Sequence, residues 1–142
     1  METDDLLDFQ DILVKYPVAK KAREKGFYCV TPHRFLDDQR IIGGWIGSNT
    51  SNPSVEDIKN YLSDPNKLLI APTAGVLHLW LKRFYNISVH TEPIYVDDSK
   101  TSLVFGAYLF INKNERVDIE ITSKDESEMF EIGLFRALCR LP

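Results

Sequence analysis

The residues of this chain that could do chemistry are few and widely spaced. His90 and Glu92 stand two apart in ISVHTEP, so on a β-strand they share one face. Both residue types bind zinc, but a zinc site takes at least a third ligand, and the spacing supplies none. Cys29 and His33 stand four apart, yet Pro32 lies between them and works against the helical turn that would bring them together. The same two residues make a weak nucleophile and base, because a cysteine in an FYCV run reads as a small buried hydrophobe. Asp37-Asp38 and Asp97-Asp98 read as solvated loop acids, and no Ser/His/Asp arrangement stands out. The Gly43-Gly44 pair in RIIGGWIG lacks the glycine order and the strand-to-helix setting of a phosphate loop. No catalytic residue, metal or cofactor is implied.

Charge gives a second kind of candidate. Lys20, Lys21, Arg23 and Lys25 form the densest positive run, KKAREK. It reads first as a solvated helix face, and second as a nucleic-acid contact, with Lys82 and Arg83 as further donors. The whole chain carries 17 Lys and Arg against 21 Asp and Glu, a net charge of -4, which opposes a general nucleic-acid or anionic-membrane surface. The acidic start METDDLLDFQD is unlike a basic signal peptide. No apolar run approaches the roughly 20 residues that cross a bilayer. With only two cysteines, far apart, the expectation is a soluble cytoplasmic protein without a disulfide framework.

The elements that would position these residues are organised around APTAGVLHLWLKRFY, residues 71–85. Val76, Leu77, Trp80, Leu81 and Phe84 recur at helical spacing, Thr73 suits the N-cap, Lys82 and Arg83 suit the last turn, and Asn86 ends the helix. Upstream, Leu6, Phe9, Leu13 and Tyr16 predict a first helix that Pro17 ends or kinks, with a short second turn over Val18 to Lys25. FYCVT (27–31) reads as a strand and 33–39 as a polar loop; GSNTSNPS (47–54) is the best linker. Ser54 and Asp57 form a weak capping box for a helix carrying Val55, Ile58, Tyr61 and Leu62. Downstream, residues 86–96, 103–111 and 117–121 predict three strands, with NKNE as a hairpin turn and the middle strand apolar on both faces. Ser123 to Glu126 reads as a full capping box opening a last helix, with Phe130, Leu134, Ala137, Leu138 and Leu141 on one side.

The expected fold is therefore α+β. An antiparallel three-stranded sheet carries helices on one face, in the order α-β-β-β-α, with an N-terminal helical and β extension. All 142 residues form one domain, with residues 1–50 as the N-terminal helix and short strands and 54–142 as the core. Trp80 and Phe130 are expected to meet Ile87, Val89, Val117, Ile119 and Ile121 between helices and sheet.

Ala71-Pro72-Thr73, Leu77, Trp80-Leu81, Arg83 and Ile87 are similar to a pattern found in small proteins of phages and prophages of gut Bacteroidetes, roughly APTQ-x-x-L-x-x-WLR-x-x-H-x-I. In those proteins three strands and a helix of the type YEEALEAGLLEAL follow, and ESEMFEIGLFRALCRL resembles that helix with Gly133-Leu134 and Ala137-Leu138 in register. The departures are Ala74 for Gln, Lys82-Arg83 for a displaced Leu-Arg, and Asn86 for His. The resemblance spans residues 69–141 and implies a fold and a mobile-element origin, with no activity. The element order also resembles that of the double-stranded-RNA-binding domain. That domain opens its last helix with a basic cluster, where this chain has Lys124-Asp125-Glu126-Ser127-Glu128. Order alone does not carry function.

One surface remains. Val104, Gly106, Tyr108 and Phe110 of the middle strand point away from the two C-terminal helices. Either the N-terminal half covers them, through Trp45, Phe27 and the Leu6/Phe9/Leu13 stripe, or Val104, Tyr108 and Phe110 form a surface for an unknown protein partner or a homodimer. The sequence thus points to a non-enzymatic interaction protein, with a nucleic-acid-binding module as the alternative.

Overall fold

The computed structural model describes residues 9–38, 40–42, 54–97 and 102–142. The α+β architecture expected from the sequence is present: four helices and two three-stranded antiparallel sheets among the described residues. The organising helix, α3 (Ala74–Tyr85), starts where the Thr73 hydroxyl accepts the Val76 N–H at 3.2 Å. It stops at Asn86, whose φ of 55° turns the chain out of the helix. Asparagine tolerates this left-handed region better than other residues with a Cβ.

From there the chain runs through β4 (Ile87–Tyr95), β5 (Leu103–Ile111) and β6 (Glu115–Ser123), paired in that order. The register sets Val89 opposite Leu109, and Ala107 opposite Ile119. These four residues are buried on the inner face, against α4 (Glu126–Cys139). Burial of Val89, Leu109 and Ile119 contributes roughly 1.5–3 kcal/mol each relative to exposure, and the small Ala107 less. The stripe expected on α4 is buried throughout, with Met129 and Gly133 added. Gly133 is required there: a Cβ on it would stand 2.4 Å from Val89 Cγ1, so the helix backbone lies directly on the sheet.

Several expectations shift. Helix α3 buries Ala74, Leu77, His78 and Leu81, while Val76 and Phe84 are exposed, Phe84 by 71%. Trp80 is therefore not the centre of the helix–sheet contact. It is half-buried, with its ring 5.2 Å from Phe27 and 5.1 Å from Tyr85. Ile121 is exposed because β6 carries extra residues between Ile119 and Ser123, which turns it off the inner face. The cap of α4 is Asp125, which accepts the Ser127 N–H at 2.9 Å. Ser123 instead accepts the Asp125 N–H and donates to Glu128, so the expected box lies two residues too early.

The N-terminal half also departs from expectation. Phe9–Asp11 is a 3-10 turn, residues 12–15 are not helical, and Leu13 bridges Thr73. The short turn expected over Val18 to Lys25 is present as α1 (Tyr16–Glu24), and Pro17 lies in its first turn, where no backbone donor is lost, instead of ending an earlier helix. Residues 27–31 form no strand. The strands are β1 (Arg34–Phe35), β2 (Ile41–Ile42) and β3 (Leu69–Ile70), in the order β2-β1-β3, partly inside the expected polar loop. Helix α2 (Val55–Ser63) has the expected Ser54/Asp57 box. Gly43-Gly44 and the 47–53 linker lie outside the described residues.

Of these N-terminal elements the 3-10 turn packs on α3 and α4, and α1 on α4 and β3, away from the sheet β4-β5-β6. Helix α1 lies along α4, where Ile132 and Phe135 meet it with Pro17 and Val18. The two C-terminal helices are thus covered on both sides, by the sheet and by the N-terminal half.

Candidate functional site: the outer face of the C-terminal sheet

Because the described N-terminal elements pack behind the helices, no described helix covers the outer face of β4-β5-β6. Phe27 and Leu13, two of the expected covers, belong to the helix side of the core instead. Trp45 and Leu6 lie outside the described residues, and so does the Phe9 side chain. Val104, Tyr108 and Phe110 are half-buried on this face, outside the main core cluster, and Ile94 leans over Gly106.

The strand register builds a row of side chains across the middle of the face. His90 is opposite Tyr108, and Tyr108 is opposite Asp118. The His90 and Tyr108 rings stack at 5.1 Å with 14° between planes. On the other side, from β6, the Arg116 guanidinium lies 3.8 Å over the Tyr108 ring. Phe110 meets both rings edge-on, at 5.9 Å from His90 and 6.0 Å from Tyr108. Arg116 is held in turn by Glu92 at 3.0 Å and Asp118 at 2.8 Å. Charge and aromatic rings thus hold one another, with the Tyr108 ring contacted by His90 from β4 and by Arg116 from β6.

Sequence spacing missed Ser88. Its Oγ lies 2.8 Å from His90 Nε2. Ser88 and His90 are two apart on one strand, so their common face was legible, as it was for His90 and Glu92. Burial, Lys82 and Arg116 all push the His90 imidazole below its ordinary value, which favours the neutral ring, whose tautomer sets whether Nε2 accepts from Ser88 or donates to it. A catalytic pair also needs a group that orients the base. Among the described residues no carboxylate meets the other nitrogen of His90, and Glu92 is held by Arg116.

At the end of the sheet where α3 turns into β4 there is a cavity of about 380 Å³, lined by Lys82, Asn86, Ile87, Ser88, Phe110 and Lys113. Phe110 and Ser88 join it to the aromatic row.

The other candidates are not brought to this face. Arg23 donates to the carbonyls of Asp64 and Lys67 and lies 4.6 Å over the Tyr61 ring. Lys25 donates to the Leu141 carbonyl at 2.8 Å, and Lys21 pairs with Glu24 and sits over Phe135. Of the four, Lys20 is exposed. Burial pushes the Cys29 thiol up to about 11, which leaves little thiolate at neutral pH. Among the described residues no group of three or more His, Cys, Asp or Glu is placed to hold a metal ion, and no helix is long and apolar enough to cross a membrane.

Comparison of the chain with family models, curated proteins and solved structures gives no match.

Proposed function

We propose that this chain is a non-enzymatic interaction protein of the phage or prophage type, which binds a protein partner or a second copy of itself through the outer face of its C-terminal sheet. The observation that carries the reading is the row Val104, Tyr108 and Phe110, which no described helix covers, with Tyr108 held by His90 and Arg116. A rigid aromatic surface loses little side-chain entropy on association, so such residues anchor interfaces. The mobile-element origin rests on the resemblance of residues 69–141. A cytoplasmic location fits two cysteines that are both free thiols.

The alternative is a nucleic-acid-binding module using Lys20, Lys21, Arg23 and Lys25. It draws less support, because Arg23 and Lys25 spend their donors on backbone carbonyls. The aromatic face also differs from a base-stacking platform, which offers open ring faces.

The test compares the wild-type chain with the double substitution Tyr108→Ser and Phe110→Ser. Sedimentation equilibrium reads self-association, and affinity capture from infected or lysogen-bearing cells reads a partner. The expected result is a complex that the double variant loses while its circular dichroism stays native. A monomer without a partner, or a complex indifferent to both changes, would reject the reading.

A further inference from the structure

We propose that the cavity between Lys82 and Lys113 receives a carboxylate of a protein partner, together with a large apolar side chain beside it. This rests on the reading of the outer face as a partner surface, and states what the partner must offer at one end of it.

The residues that line the cavity include two lysines and no acid. Lys82 and Lys113 form no ion pair among the described residues, whereas Arg116 on the same face is neutralised by Glu92 and Asp118. The unbalanced charge is felt by its neighbours: after burial, Lys82 is the next cause pushing both His78 and His90 toward their neutral forms.

The backbone of Lys113 gives an independent indication. Asn112 and Lys113 are the central residues of the β5–β6 turn, with φ of 54° and 67°. Glycine is the least strained residue at the second position of such a turn. The chain has lysine there, in a conformation that a side chain disfavours, and that lysine is part of the cavity lining. A charge needed only for solubility has unstrained positions on either strand.

Size and walls define the rest of the ligand. The space is more than ten times the roughly 30 Å³ that a water molecule occupies in the liquid, so a carboxylate enters with the side chain that carries it and a neighbour. Ile87 and Phe110 supply apolar walls for that neighbour, while Ser88 and Asn86 supply polar groups beside the lysines. Glu92 and Asp118 lie on the same face and would repel a polyanion such as a nucleic acid; a single carboxylate reaches the lysines without crossing them.

The test is to pan a random peptide-display library on the full chain, then measure the selected peptides by fluorescence anisotropy. Selected peptides are expected to share an Asp or Glu beside Phe, Tyr, Trp, Leu or Met. Changing that acid to its amide should lower affinity about tenfold. Lys82→Ala and Lys113→Gly should do the same, and Lys113→Gly should melt no lower than wild type, since it relieves the turn. A library without binders, binders without an acid, or binders indifferent to both lysine changes would each overturn the proposal. Binders lost with Tyr108→Ser and Phe110→Ser but indifferent to the lysines would leave the interaction face standing and remove this pocket. Binders indifferent to all four changes would remove both. An oligonucleotide that displaces the peptides at equal concentration, through the same lysines, would also overturn it.

Discussion

The His78 imidazole accepts the backbone N–H of Val89 through Nε2 at 2.8 Å. Strand β4 is an edge of its sheet, and the side chain from α3 supplies the acceptor that a neighbouring strand would have given. His78 is 6% exposed, and its Nδ1 is buried without a hydrogen-bond partner among the described residues. Accepting at Nε2 puts the proton of the neutral ring on Nδ1.

Protonation of His78 is therefore coupled to folding. Burial first, then Lys82 and His90, lower its pKa from the ordinary 6.5 to about 4. The unfolded chain binds this proton more readily, so the contribution is complete above pH 6.5 and is lost as pH falls toward 4. The loss is at most about 3 kcal/mol. Urea denaturation of wild type and His78→Gln at pH 7 and pH 4.5 checks it. The wild type should lose more stability over that interval than the variant, and equal losses would show that His78 does not titrate with folding.

Gly133→Ala should destabilise, although alanine is the better helix former by about 1 kcal/mol. The new Cβ would stand 2.4 Å from Val89 Cγ1, and Val89 is buried and β-branched, so the helix must lift off the sheet. A net loss of about 1–3 kcal/mol is expected from overpacking. The double variant with Val89→Ala should lose less than the sum of its single changes, as measured by a thermodynamic cycle from denaturant midpoints.

Phe27→Ala should cost more than Trp80→Ala. Phe27 is 1% exposed, and full truncation of a core aromatic costs about 3–5 kcal/mol. Trp80 is half-buried and packs against Phe27 and Tyr85 at the edge of the core, so about 2 kcal/mol is expected. The reverse order in chemical denaturation would place Trp80 at the centre of the core.

Arg23→Lys should not be conservative. The planar guanidinium serves two carbonyls, those of Asp64 and Lys67, while it lies over Tyr61, which an ammonium group cannot match. A loss of about 1–2 kcal/mol is expected, against less than about 0.5 kcal/mol for Lys20→Ala on the exposed helix face. Thermal denaturation of the two variants decides it. Equal small effects would return Arg23 to the surface and to the nucleic-acid reading.

Local features were legible in the sequence because each depends on a few neighbouring residues. Thr73 and Asn86 bound α3, Ser54 and Asp57 open α2, and alternation together with the NKNE turn defines β4 to β6. The α+β class follows from the order of those elements. What faces what was decided only in three dimensions. A helical stripe marks the buried side when one neighbour covers the helix. Here α3 is turned so that Leu77, His78 and Leu81 face inward while Val76 and Phe84 stay in water, and α4 is covered on both sides. The off-stripe residues Ile132 and Phe135 were the available sign that a second layer lay behind α4, where α1 packs. The candidate site depends on the same long-range facts. Ser88 beside His90 is set by one strand, but Arg116 over Tyr108 needs the β5–β6 register, and the meeting of Lys82 with Lys113 needs a helix end and a hairpin turn 31 positions apart to arrive at the same cavity.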